Sequence, residues 1–242
     1  AGVPAIVARQ APGAMDIIEA RAAEIGSPLF RCGVEWDAYA SHGRLFVQTE
    51  ARGLDLPLPA LQGWHQIDNA GLACAALLVS NAAQIDDKTF AAGVESAAWP
   101  GRLQPLTRGA LSAPVRAVGG EVWVDGGHNG QAATALARAL NDMQRRREAP
   151  TIAIIGMRAR KEADSFVGAL AGAVDRVIAV PLSEPHIAPA MIAALGATFD
   201  LEADAASTLF EAMQNAAQLP APRVLICGSF LLAAEALAAE SA

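Results

Sequence analysis

From residue 105 onward the sequence follows a rhythm that few folds can accommodate. Short apolar runs at 122–125, 151–156, 176–180, 197–201 and 223–228 alternate with longer stretches at 130–143, 162–173, 188–195, 205–218 and 230–239. Apolar runs this short are strands covered on both faces, and the stretches between them are long enough for helices. Within 130–143, Ala132, Leu136, Ala139, Leu140 and Met143 fall on one stripe at helical spacing. The alternation predicts an α/β architecture: a Rossmann-like, mostly parallel sheet with helices on both faces. Ligands of such sheets sit at the C-terminal strand ends. Here those ends are 125–130, 156–161, 181–186 and 228–229.

The pattern before residue 105 is sparser. Strands are expected at 4–9, 44–49 and 54–58, and helices at 14–25 (stopped by Gly26), 66–84 and from an Asp86 or Asp87 cap to 97. Trp99-Pro100-Gly101 breaks the chain and marks a hinge, so two domains are expected, 1–104 and 105–242. Ala1-Gly2-Val3-Pro4 runs straight into an apolar segment with no initiating Met, which suggests a piece of something longer.

Composition excludes several classes. A net charge of −7 leaves no basic excess for a nucleic-acid binder. The run Arg145-Arg146-Arg147 ends an expected helix, where cations meet the negative end of the dipole, and is read as a solvated face. The longest uncharged run, 69–85, contains Asn69, Ser80, Asn81 and Gln84 and falls short of the roughly 20 apolar residues of a membrane span. Cys32, Cys74 and Cys227 sit among apolar neighbours without a CxxC pair, which fits buried free thiols and a cytoplasmic setting.

Five segments could carry chemistry. Asp125-Gly126-Gly127-His128-Asn129-Gly130 joins a strand to a helix; its helix N-terminus offers N–H groups to an anion, and Asp125 could accept from a ribose. As a strand-end carboxylate facing a crevice, Asp125 is expected to contribute little to packing. The segment could equally be a polar turn with Asn129 as N-cap. In Gly63-Trp64-His65-Gln66-Ile67-Asp68-Asn69, Gln66 and Asn69 are three apart on an expected helix and can share a face. Their amides suit an adenine edge or a phosphate, or simply cap the helix. Arg102, in Pro100-Gly101-Arg102-Leu103-Gln104, could grip a polyphosphate or stand on the surface. Met157-Arg158-Ala159-Arg160-Lys161 is a basic strand-to-helix turn, and Cys227-Gly228-Ser229 a small-residue turn in which Ser229 could cap.

Their order is more specific than any one of them. GxHQxxNA, an alanine-rich helix, PGRLQ, a DxxHN turn, a GM turn with a lysine and a CGS turn, in that sequence, resemble the folylpolyglutamate synthase/dihydrofolate synthase family of the Mur-ligase superfamily. The resemblance runs through nearly the whole chain. It implies that 1–104 is the C-terminal portion of a Mur-ligase-type central ATPase domain and 105–242 the C-terminal ligase domain. It also implies the reaction: ATP phosphorylates a substrate carboxylate, and the amine of L-glutamate attacks the acyl phosphate. Matched position by position, Asn69, Arg102 and Asp125, with Gln66 and His65, fall among the family's ATP contacts. His128 and Ser229 fall where glutamate-side roles lie, and Lys161 matches the lysine of the GM turn. This sequence departs from the family at Gly130 (usually Pro), Gly127 (usually Ala) and Glu162 (usually Asp).

The implied cofactors are ATP and Mg2+, and the implied substrates L-glutamate with dihydropteroate or tetrahydrofolate. The full-length enzyme is expected to be a cytoplasmic monomer with no nucleic-acid or membrane partner. No GxxxxGK[ST] occurs in these 242 residues, so the phosphate loop, the metal ligands and the family's modified lysine are expected upstream and this stretch alone is expected to be inactive. Three rivals remain at this stage: a cell-wall Mur ligase, a non-catalytic nucleotide-binding module and an NAD-dependent oxidoreductase. The last lacks its GxGxxG fingerprint.

Overall fold

The computed structural model describes residues 2–80 and 85–241. It divides into two compact units, Ala1–Ala98 and Trp99–Ala242. The division falls earlier than the end of the Pro-Gly-Arg hinge, because the hinge is tied into the second unit: Gly126 N–H donates to the Gly101 carbonyl at 2.8 Å.

The first unit comprises β1 (Ala5–Val7), α1 (Pro12–Ile25), β2 (Leu29–Arg31), β3 (Trp36–Ser41), β4 (Arg44–Thr49), β5 (Gly53–Pro57), α2 (Trp64–Ser80) and α3 (Asp87–Ser96). β1 and β2 form a parallel pair, and β3-β4-β5 an antiparallel meander. Gly26 ends α1 in the left-handed conformation (φ 63°), as its position predicts. Asp86 caps α3 by accepting from Thr89 N–H. The expected helix over 66–84 begins two residues earlier and is described to Ser80; 81–84 lie outside the described residues. Leu45, Val47, Leu54 and Leu56 project from the meander onto Cys74, Ala75, Phe90 and Val94 of the two helices. Gly71 permits the close approach, since a Cβ there would lie 2.3 Å from the Ala38 Cβ.

The second unit runs β6 (Gln104–Leu106), α4 (Ala113–Ala117), β7 (Glu121–Val124), α5 (Gly130–Arg146), β8 (Thr151–Ile155), α6 (Ala163–Leu170), β9 (Arg176–Ala179), α7 (Pro189–Thr198), β10 (Glu202–Ala205), α8 (Leu209–Ala216), β11 (Arg223–Cys227) and α9 (Phe230–Ser241). The sheet order is β10-β9-β8-β11-β7-β6, parallel throughout except for β6, which pairs antiparallel with β7. Alternate residues of each strand feed opposite cores. Ile152, Ile154, Val224 and Ile226 meet α8 and α9, whereas Ala153, Ile155, Leu225 and Cys227 meet α5, α6 and α7. The expected helices on both faces are therefore present. Full burial of each such Ile or Leu contributes about 1.5–3 kcal/mol.

Several local expectations are corrected. The strand expected at 197–201 is the end of α7 and a left-handed turn at Asp200 (φ 58°), and the strand itself is Glu202–Ala205. That edge strand carries Glu202 and Asp204, both paired with Arg176. The opposite edge, β6, contains Pro105. The arginine run is only partly a solvated face: Arg147 donates to Glu121 at 2.8 Å and to the Ala221 carbonyl at 3.0 Å. Beside it Arg223, 1% exposed, donates to Glu121, Gln144 and the Arg147 carbonyl, closing the end of the sheet opposite the expected ligand side.

Candidate functional site

In the second unit four loops converge at the C-terminal strand ends. Gly228 N–H donates to the Gly127 carbonyl at 2.8 Å and Gly156 N–H to the Cys227 carbonyl at 3.2 Å. Gly228 (φ 100°) must be glycine for its conformation and its space, since a Cβ would stand 2.9 Å from the Gly156 carbonyl oxygen.

Asp125 follows β7 directly. It is 4% exposed, and its carboxylate accepts from Leu103 N–H at 2.8 Å and Gly127 N–H at 2.6 Å. The expectation that it contributes little to packing is thereby overturned: it fastens the hinge loop to the strand end. The bond to Leu103 also supports a backbone with φ 40°, unusual for a branched residue.

That loop carries Arg102, which is half-buried. Its guanidinium lies over the ring of Phe230, 4.9 Å from the centroid, and makes no ion pair among the described residues. His128 meets the same ring edge-on at 5.2 Å. Its Nδ1 lies 3.0 Å from the Gly126 carbonyl, which only accepts, so Nδ1 carries the proton and the neutral ring's lone pair is on Nε2. Asn129 caps α5 by accepting from Ala132 N–H at 2.8 Å, and is not free to serve a ligand with that oxygen. Ser229 is buried and accepts from Leu231 N–H at 3.0 Å, the capping role open to it in the sequence.

Arg102 and His128 thus share one aromatic ring, while Asp125 and Ser229 hold the backbone of the loops on either side of it. Lys161 is not among them. It stands exposed on the turn after β8, where Arg158 pairs with Glu184 at 2.5 Å, and its ammonium makes no ion pair among the described residues. Gly130, where the family usually has Pro, faces Ser165, whose Oγ would lie 2.3 Å from an added Cβ. Phe230 itself was not singled out from the sequence. The signal was there: a large aromatic at the first position of a helix that opens directly from a strand-end turn.

In the first unit, His65, Gln66 and Asn69 form a chain at the start of α2. Asn69 Nδ2 donates to Gln66 Oε1 at 3.1 Å, and Gln66 Nε2 lies 3.1 Å from His65 Nε2. Gln66, 4% exposed, is fixed from both sides, while Asn69 is exposed. The shared face expected for Gln66 and Asn69 is present. Both border a cavity of about 470 Å³ whose other walls include Cys74, Leu77, Phe90 and Val94.

Cys74 and Cys227 are buried free thiols. Burial pushes the Cys74 thiol up to about 11, and burial reinforced by the charge of Asp125 pushes Cys227 well above the usual range. Cys32, expected to be buried, is half-buried. No group of three His, Cys, Asp or Glu side chains that could hold a metal occurs among the described residues. No helix of the described residues is long and apolar enough to cross a membrane.

Comparison with known proteins bears on the domain family and the fold. Residues 112–230 match the family "Mur ligase, glutamate ligase domain". A curated relative from Halobacterium salinarum, a probable bifunctional folylpolyglutamate synthase/dihydropteroate synthase, is 39% identical over 80 residues, covering 33% of this chain and 8% of its own. Escherichia coli FolC, solved in complex with DHPP and ADP, is similar over 98% of this chain and 53% of its own, with a TM-score of 0.82 and 25% identity. The bifunctional folylpolyglutamate synthase/dihydrofolate synthase of Yersinia pestis is similar over 100% of this chain and 54% of its own, with a TM-score of 0.77 and 25% identity. The chain therefore spans about half the length of the solved structures it matches. One unit thus matches the Mur-ligase glutamate ligase domain over residues 112–230, and nearly the whole length is similar in fold to folylpolyglutamate synthase/dihydrofolate synthase structures, the family that the sequence motifs resemble.

Proposed function

We propose that this protein acts in ATP-dependent amide ligation, joining L-glutamate to the carboxylate of a dihydropteroate or folylpolyglutamate substrate. The observation that carries the reading is the guanidinium of Arg102, which has no carboxylate partner among the described residues and shares the Phe230 ring with His128 at the strand ends. A cation in that setting suits a phosphate group, which it can meet through two parallel hydrogen bonds. When bound, ATP supplies the phosphoryl group that activates the substrate carboxylate.

The protein's own contributions follow from the contacts. Arg102 binds phosphate oxygens. Asp125 holds the loop that carries Arg102 through Leu103, and its carboxylate, at the end of β7, is the group a ribose hydroxyl would donate to. His128 presents Nε2 as an acceptor, suited to the ammonium or amine of the incoming amino acid. Ser229 retains its hydroxyl hydrogen for donation, since its oxygen is the acceptor in the cap. Asn69, braced by Gln66 and through it by His65, offers its carbonyl oxygen to a base edge. Lys161 adds positive charge on the neighbouring turn.

The test is titration with ADP by calorimetry. Arg102→Ala removes a charge-assisted contact worth about 1.5–3 kcal/mol, so affinity should fall about ten- to hundredfold with the melting temperature little changed. Asn69→Ala should weaken binding less. Wild-type affinity in Arg102→Ala would overturn the nucleotide assignment.

A further inference from the structure

Phe230 is 48% exposed, an unusual position for the first residue of a helix that packs its other face into the core. Three observations account for it. The guanidinium of Arg102 lies over its ring at 4.9 Å. The His128 imidazole meets it edge-on at 5.2 Å. The ring also presses on the backbone of Gly126, where an added Cβ would lie 2.3 Å from Cδ1. One side of the ring is thus backed by main chain that cannot yield, and the two polar groups proposed to meet substrate rest on what remains.

We infer that Phe230 is a positioning residue for anion recognition. It aims Arg102, and with it the subsite for the phosphates of a nucleoside diphosphate, while touching no ligand itself. The inference rests on the nucleotide reading above. The physical reason is that a long guanidinium side chain without a salt bridge is spread over many rotamers in water. The negative face of an aromatic ring selects those in which the cation lies flat on it, leaving the outer N–H edges for a ligand. Binding then loses less side-chain freedom than it would from a disordered arginine. His128, braced by the same ring and by the Gly126 carbonyl, keeps a fixed offset from Arg102.

The experiment measures ADP affinity in wild type, Phe230→Leu, Phe230→Tyr, Arg102→Ala and the double variant Phe230→Leu/Arg102→Ala, with thermal melts alongside. Phe230→Leu keeps an apolar side chain on Gly126 but removes the ring face; it should weaken ADP binding about three- to tenfold. Phe230→Tyr keeps the face and should bind within about twofold of wild type. In the Arg102→Ala background the Phe230→Leu change should have no further effect, because the group it acts through is gone. A merely structural role predicts the same loss in both backgrounds and a lower melting temperature, and that result would overturn the inference. Wild-type affinity in Phe230→Leu, with Arg102→Ala weakened, would overturn the inference alone. Wild-type affinity in Arg102→Ala would remove the nucleotide reading with it.

Discussion

A carboxylate that is 4% exposed and accepts two backbone N–H groups cannot be deleted without leaving both donors dry. Asp125→Ala is therefore expected to lower stability by about 2–4 kcal/mol, readable in urea denaturation, and to lower ADP affinity because the loop carrying Arg102 loses its anchor. Unchanged stability would mean that Leu103 and Gly127 find other acceptors. The sequence singled out Asp125, since it stands at the end of an apolar strand, but not the anchoring that the structure gives it. Its decisive partner, Leu103, lies 22 residues upstream and reaches it only because the hinge loop folds back along β7. Phe230 escaped notice for a related reason. An aromatic after a CGS turn looks like one more core residue until Arg102 and His128 are found on its ring.

Elements were legible in proportion to how much of their pattern was local. The strand at Arg44–Thr49 emerged from alternation and aromatic content, and the central strands β8 and β11 from unbroken apolar runs. Trp36–Ser41 was missed although it pairs with Arg44–Thr49 through a two-residue turn, because that turn is His42-Gly43, both at positive φ (50° and 73°), rather than the commoner Asn-Gly. Gln104–Leu106 and Ala113–Ala117 are too short, and too marked by proline, to show a period. The last helix shows how a distant contact can fasten an element. Glu240 on α9 accepts from the N–H groups of Arg108, Gly109 and Ser112 and from the Ser112 hydroxyl. Partial burial pushes its carboxyl up, but these donors outweigh burial and hold its pKa below the usual value. A depressed folded pKa stabilises the protein above the unfolded value of about 4.3, and that contribution is lost as pH falls through the folded one. Glu240→Gln should therefore cost about 1–2 kcal/mol at pH 7 and flatten the acid limb of the stability curve. An unaltered acid limb would show that Glu240 is not the titrating group.

At the scale of the whole molecule, each unit possesses its own apolar core: among the described residues, one cluster in the first and two in the second on opposite faces of the sheet. Residues 99–242 expressed alone should accordingly fold and melt in one cooperative transition, with the amide dispersion of a packed domain; a non-cooperative melt would contradict the division. The way the six-stranded sheet ends bears on how such a protein behaves in a crowded solution. A strand edge with free amides is an adhesive surface, and a chain with 53% hydrophobic residues could ill tolerate two of them. One edge has Pro105, which lacks the amide a newcomer would need, and the other has Glu202 and Asp204 drawn onto Arg176, a charged hem that a like sheet would have to desolvate. The sheet is thus finished on both sides and has no growing end, and its apolar content stays a private matter of the fold rather than a route to fibres.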